Sequence, residues 1–137
     1  AVININLTGV FLCGREAAQL MIESGSKGVI INISSIARHG NFGQTNYSAT
    51  KAGVQAMAVV WAKELSRYGI RVNAIAPGFI NTEMVAAMPD KVKENLAAMN
   101  PLKRIGEPEE VAEAAEFIFQ NDYYSGRCID LDGALRL

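Results

Sequence analysis

"GVIINIS", Gly28 to Ser34, is a short run rich in β-branched side chains and bounded by Gly and Ser. Such a run is the pattern of a strand buried inside a parallel sheet. What flanks it decides how the sheet is built. Upstream, Val10, Phe11, Ala17, Ala18, Met21 and Ile22 recur at helical spacing between Thr8 and Ser24, with Gly25 as the stop, which predicts a helix with a buried stripe. Downstream, the turn-rich "SIARHGNFGQTN" leads into a second helical pattern from Tyr47 to Tyr68. There Val54, Met57, Ala58, Trp61, Ala62 and Leu65 share one side, and Gly69 ends the helix. "IRVNAIA", from Ile70, reads as the next strand and is closed by Pro77-Gly78. A short amphipathic helix is expected around Asp90 to Met99. Another is opened by Pro108, with Glu107, Glu109 and Glu110 favouring its positive N-terminal end. "RCIDLDG" supplies the last strand. Strands separated by helix-length segments pair in parallel through right-handed crossovers, so the expected fold is α/β with helices on both faces of the sheet. Without repeats or linkers, residues 1–137 are expected to form a single domain.

Composition narrows the function. Half of the 137 residues are hydrophobic, and 13 basic side chains face 14 acidic ones for a net charge of -1. Phosphate neutralisation needs a basic stripe, which this balance lacks, so no nucleic-acid partner is expected. No apolar run approaches the roughly 20 residues of a membrane span, and no basic-then-apolar leader is visible. Cys13 and Cys128 lie far apart without metal-ligand spacing, and two reduced, buried thiols in a cytoplasmic protein are expected. His39 is the single histidine, which removes His clusters and His-dependent triads. Catalysis, if present, must use another acid or base.

Parallel sheets bind ligands beyond the carboxyl ends of their strands, which selects the loops after Ile33 and after Ala76. At the far end of the first loop stands "NYSATKAG", Asn46 to Gly53. Residues i and i+4 lie roughly 40° apart around a helix and about 6 Å apart along it, so Tyr47 and Lys51 project from one face. A phenol with an ordinary pKa of about 10 supplies little phenolate at neutral pH, but a nearby ammonium favours the charged form. Such a tyrosine exchanges a proton with a carbonyl or alcohol oxygen. Ser34 and Ser35 offer hydroxyls near the same loop. Tyr and Lys four apart are also a common solvent-exposed pair; strand-terminal serines and a long Gly-rich connection in the right order favour chemistry.

The order Asn6, Ser34-Ser35, Tyr47, Lys51 and then "PGFINTEM" resembles the short-chain dehydrogenase/reductases, which use an Asn, Ser, Tyr, Lys tetrad. "GNFGQTNYSATKAG" and "IRVNAIAPGFINTEM" resemble most the 3-oxoacyl-(acyl-carrier-protein) reductases. The similarity runs from "ININLTGVF" to "SGRCIDLDGALRL". It implies a Rossmann-like doubly wound parallel sheet and an NADP- or NAD-dependent oxidoreductase interconverting a carbonyl and a secondary alcohol. The substrate it implies is a small carbonyl or an acyl-carrier thioester. Tyr47 would be the general acid, Lys51 would hold the nicotinamide ribose and depress the Tyr47 pKa, and Asn6 would position a water in the proton relay. Pro77, Gly78, Ile80 and Thr82 match positions that grip the nicotinamide end. Pro-Gly is also a generic turn, and Thr82 before Glu83 an ordinary helix N-cap. "AVININL" alternates like a strand, whereas the family makes it helical; the helix is preferred.

Two departures stand out. Counting back from Tyr47 by the usual family interval selects Ser34, whereas aligning the strand "INISS" selects Ser35 and shortens the loop by one residue. Strand register resists slipping and a loop absorbs a deletion, so Ser35 is the expected catalytic serine. The family's first strand, its glycine-rich pyrophosphate turn and its ribose-reading residue do not occur in these 137 residues. The chain therefore resembles the C-terminal, catalytic portion of the enzyme, without the N-terminal dinucleotide-binding strands. Glu83 to Met99, with Val92, Leu96 and Met99 at helical spacing, resembles the family's substrate lid, or else an amphipathic helix packed on the core. An alternative role is that of an oligomerisation module. The helices 8–24 and 47–68 resemble those that join family subunits as homodimers or homotetramers. The small-residue stripe Ala49, Ala52, Gly53, Ala56 suits either that contact or packing on the chain's own sheet. A steroid or sugar-alcohol dehydrogenase on the same scaffold differs only in substrate.

Overall fold

The computed structural model describes residues 1–137. Three parallel strands, β1 (Gly28–Ile33), β2 (Ile70–Pro77) and β3 (Cys128–Leu131), form one sheet in the order β1-β2-β3. Gly28 lies opposite Ile70 and Ile33 opposite Ile75; Ala74 lies opposite Cys128 and Pro77 opposite Leu131. The central strand is covered on both faces although "IRVNAIA" alternates apolar and polar from Ile70 to Ala74, because the Arg71 and Asn73 side chains bond to the Ile118 and Tyr124 carbonyls. Ile70, Val72 and Ala74 pack with Ala58 and Ala62 of helix α2 (Thr45–Leu65) on one face. Ile75 packs with Ala114 and Ile118 of helix α5 (Pro108–Gln120) on the other. Asn73 is a polar residue with no exposed surface, and it is satisfied: its amide donates to the Tyr124 carbonyl and accepts from the Arg127 N–H. That pairing fixes the chain's entry into β3.

Several elements differ from their sequence expectation. Helix α1 (Gly9–Ser24) buries only Gly14 and Ala18, while Phe11 and Ile22 reach the surface. It meets both β1, where Met21 packs over Gly28 and against the core, and α2, with the Trp61 ring seated over Gly14. Cys13 is exposed and Cys128 half-buried, so the expectation of two buried thiols is corrected. Residues Asn4–Thr8 form a π-helical turn continuous with α1, so the helical reading of "AVININL" holds over its strand-like alternation. A 3-10 turn, Ile36–His39, lies within the turn-rich connection. Helix α2 starts at Thr45, where the Gln44 carbonyl accepts the Ser48 N–H, and gives way to a 3-10 turn at Ser66–Tyr68. One unexpected turn of helix, α3 (Glu83–Ala86), precedes α4 (Asp90–Met99).

Within the segment Glu83 to Met99 only Val85 is buried, while α4 keeps Leu96 and Ala97 half-buried and the rest of its apolar face exposed. The residues of α2 that face inward are Thr50, Val54, Ala58 and Ala62; Ala49, Ala52 and Ala56 are exposed. The small-residue stripe therefore does not pack on the sheet. Only Gly53 makes a close approach, to Leu7 of the π-turn. Helix α5 opens with a capping box, in which Glu107 and Glu110 satisfy each other's backbone N–H groups. No helix is long and apolar enough to cross a membrane.

Candidate active site

Parallel pairing brings the carboxyl ends of all three strands to one edge. The β1 ladder continues one residue further, with the Ser34 N–H bonded to the Ile75 carbonyl at 2.7 Å. The two serines that follow β1 then diverge. Ser34 is buried and donates its hydroxyl to the Lys51 carbonyl at 2.7 Å. Ser35, extended at φ -163° and ψ 154°, caps the 3-10 turn. Its hydroxyl oxygen accepts the Ala37 N–H at 3.1 Å, which leaves the hydroxyl proton for another acceptor. The sequence alone left two candidates; the hydrogen bonds give them different occupations.

Tyr47 stands in the first turn of α2, where helix N–H groups favour developing negative charge. Lys51 follows one turn later, and its ammonium lies 5.7 Å from the centre of the Tyr47 ring. The Lys51 Nζ donates to the Ile33 carbonyl at 2.9 Å, which ties the middle of this site to the end of β1. Burial lowers the Lys51 pKa below the ordinary lysine value. Asn6 lies in the π-turn, whose defining bond runs from the Gly9 N–H to the Asn4 carbonyl. Single π-turns are rare and recur at functional sites. Together with Ile33 and Lys51, Asn6 lines a groove along the free edge of β1.

Pro77, Gly78, Ile80 and Thr82 leave the same sheet edge from the neighbouring strand. Gly78 is held by packing, because a Cβ there would lie 3.0 Å from the Asp132 Cα. Its N–H bonds to the Leu131 carbonyl. Gly106 donates to the Phe79 carbonyl and accepts from the Asn81 N–H, so these bonds straddle and bypass the Ile80 N–H. Thr82 occupies the N-cap position of α3 but makes no side-chain capping bond. The ordinary N-cap reading thus accounts for its place and not for its hydroxyl.

The sequence reading passed over one charged group beside the site. The Arg38 side chain is 6% exposed and pairs with Asp130 of β3 at 2.6 Å. Its signal was a lone arginine in "SSIARHG", where charge in a turn reads as solvated surface. Cys128 lies in the same neighbourhood, and burial pushes its thiol up to about 11. No group of three or more His, Cys, Asp and Glu side chains is arranged to hold a metal ion.

Comparison with known proteins gives this geometry a context. Residues 1–135 match the family model described as Enoyl-(Acyl carrier protein) reductase. The (3R)-3-hydroxyacyl-CoA dehydrogenase of Mus musculus is 47% identical across 98% of this chain, which covers 53% of that protein. The 3-oxoacyl-(acyl-carrier-protein) reductase FabG of Thermotoga maritima is also 47% identical, with 98% of this chain and 56% of that protein covered. Among solved structures, the 3-hydroxyacyl-CoA dehydrogenase type-2 of Mycobacterium avium superposes with a TM-score of 0.93. It is 38% identical, with 99% of this chain and 55% of that chain covered. The chain spans about half the length of the curated relatives it matches. Three parallel strands flanked by helices, in this connectivity and at this identity, are the Rossmann-like architecture of those relatives, and the chain belongs to the short-chain dehydrogenase/reductase family.

Proposed function

We propose that this chain supplies the catalytic and nicotinamide-side residues of an NAD(P)-dependent oxidoreductase. The enzyme would interconvert the carbonyl and the secondary alcohol of a 3-oxoacyl or 3-hydroxyacyl thioester. The observation that carries the reading is the placement of Tyr47 and Lys51 on one face of α2, with the ammonium 5.7 Å from the phenol ring and bonded to the end of β1. The names of the relatives, a 3-hydroxyacyl-CoA dehydrogenase and a 3-oxoacyl reductase, support the substrate class.

The residues present fit a nicotinamide group. Lys51 spends one N–H on Ile33 and keeps the others for a ribose hydroxyl. The Ile80 N–H and the Thr82 hydroxyl, bypassed by their neighbours' bonds, are donors for an amide and a phosphate or ribose oxygen. NADP or NAD, when bound, supplies the hydride. The Tyr47 hydroxyl gives its proton to the substrate oxygen during reduction, and the helix start favours the phenolate left behind. The Ser35 hydroxyl donates to the same oxygen as its charge changes. Asn6, on the π-turn beside Lys51, holds a water through which Tyr47 is reprotonated.

The test is Tyr47→Phe, assayed by acetoacetyl-CoA reduction with NADPH and NADH after fluorescence titration of each dinucleotide. Removing the acid costs about 10² to 10⁴-fold in kcat, with dinucleotide binding and fold retained. Turnover within a few fold of the parent overturns the role of Tyr47. Absence of saturable dinucleotide binding in the parent would make these 137 residues an incomplete site, whose own role would lie in its oligomer.

We also infer assembly through α1 and α2. Phe11, Leu12, Leu20, Val59 and Val60 on these two helices are exposed, an apolar surface of the kind that mediates association. A homodimer or homotetramer is expected in sedimentation equilibrium; a monomer throughout the concentration range removes this inference.

A further inference from the structure

The first turn of the connection from Ser35 to Tyr47 is capped by the Ser35 hydroxyl and also held by the Arg38 side chain. Arg38 makes two bonds to the Ser35 carbonyl, one from its backbone N–H at 3.1 Å and one from its guanidinium Nη1 at 3.2 Å. The other arm, Nη2, crosses to Asp130 on β3 at 2.6 Å. The guanidinium thus joins the turn after the first strand to the last strand, 92 residues away in sequence.

Among the ion pairs this one has the most buried cation. Arg15 and Glu16 are both more than half exposed, where such pairs contribute little. The Arg38 side chain is only 6% exposed, and its Nε is buried without a partner. A buried guanidinium with an unmade hydrogen bond is costly. Ile36 and Ala37, buried beside it, already provide apolar packing for the turn. The backbone N–H bond is the ordinary one of a 3-10 turn; what the arginine side chain adds is direction, because its one bond to the turn ends on the Ser35 carbonyl while its other arm is fixed on Asp130.

We propose that Arg38 is a positioning residue for the reaction: by clamping the Ser35 carbonyl to Asp130 it fixes the direction in which the Ser35 hydroxyl meets the substrate oxygen. The proposal rests on the catalytic reading of Ser35 given above. The Ser35 hydroxyl oxygen accepts from the Ala37 N–H, so rotation of the peptide that Arg38 holds turns the hydroxyl away from its target. A misplacement of about 1 Å at a reacting group is enough to cost about 10²-fold.

The experiment is a double-mutant cycle on acetoacetyl-CoA reduction, with amide exchange of residues 34–38 measured in the same proteins. Arg38→Met is expected to lower kcat about 10 to 100-fold, with KM and dinucleotide affinity within threefold. It is also expected to speed exchange in that segment about tenfold. Arg38→Lys, which keeps one arm of the clamp, recovers part of both. On a Ser35→Ala background, Arg38→Met is expected to cost nothing further in kcat, because it acts through the missing hydroxyl. A full additional loss on that background, or unchanged kcat in Arg38→Met, overturns the proposal. If the parent protein shows no turnover, the catalytic reading fails instead, and unchanged exchange in Arg38→Met separately removes the clamp. Should Arg38→Met not fold, Asp130→Asn opens the other end and carries the same cycle, with the same outcomes deciding.

Discussion

The Ser34 hydroxyl is bonded to the Lys51 carbonyl at 2.7 Å, which locks the end of β1 to the second turn of α2. Together with the reverse bond from the Lys51 ammonium to the Ile33 carbonyl, it makes the Lys51 position a property of the strand as much as of the helix. Under the proposed function Ser34 has a structural part and Ser35 the chemical one. Ser34→Ala is expected to cost about 1 to 3 kcal/mol of stability, as for a buried hydrogen bond with one partner removed, and to leave most turnover intact. Ser35→Ala is expected to show the opposite pattern, with near-parental stability and kcat lowered about 10²-fold. Urea unfolding and acetoacetyl-CoA reduction on both variants check this; an exchange of the two patterns would assign the chemistry to Ser34.

A second prediction concerns the turn behind Pro77 and Gly78, the residues proposed to face the nicotinamide. Gly133 adopts φ +61°, and a Cβ there would meet the Asn100 amide at 2.5 Å. Asn100 is buried, donates to the Asp132 carbonyl at 3.0 Å and accepts the Leu102 N–H at 2.8 Å. Asp132 in turn lies where a Cβ at Gly78 would meet its Cα at 3.0 Å. The segment leaving α4 and the Pro77-Gly78 turn thus lean on the same pair of residues. Gly133→Ala should cost about 1 to 3 kcal/mol through left-handed backbone strain and the displaced amide. Dinucleotide affinity should weaken with it, since the Gly78 turn loses its support. A thermal midpoint and a dinucleotide Kd both equal to those of the parent would show that the turn relaxes freely.

Much of this was legible in the sequence, and what escaped did so for physical reasons. The strand from Ile70 was readable because Ile, Val and Ala recur along it and Pro77-Gly78 closes it, while the partner of its two polar residues, Arg71 and Asn73, lies 53 and 51 residues away at Tyr124 and was not. Helix α4 was found at Asp90–Met99 because Val92, Leu96 and Met99 recur at helical spacing, and the structure ends it at the same residues, between Pro89 and Asn100, which both leave helical geometry. The buried stripe of α1 was overread, since helical periodicity reports an apolar face and not what covers it; Phe11 and Ile22 face outward. Tyr47 and Lys51 were legible because their spacing is local. The separate occupations of Ser34 and Ser35 were not, because they depend on bonds to α2 and to the following turn. Arg38 and Asp130 are joined only by the order of the strands, a relationship that no sequence window contains.

The last prediction follows from the start of α5. The Glu110 carboxylate receives both Nη atoms of Arg104, at 2.8 and 2.6 Å, and the Glu107 N–H at 2.8 Å. The Arg104 guanidinium and that backbone donor hold its pKa down to about 2, from the usual glutamate value of 4.5. A carboxylate depressed in the folded state contributes stability that is present above its unfolded pKa and lost as pH falls through the folded one. The contribution is therefore complete above about pH 5 and disappears between there and about pH 2. Glu110→Gln should destabilise the chain more at pH 6 than at pH 3 in urea unfolding. The pair is well exposed to solvent, so the difference should shrink in high salt. The capping box adds a part that salt does not remove, because the Glu107 N–H loses its charged acceptor at any ionic strength. Equal destabilisation at pH 6 and pH 3 would mean that Glu110 acts through packing alone.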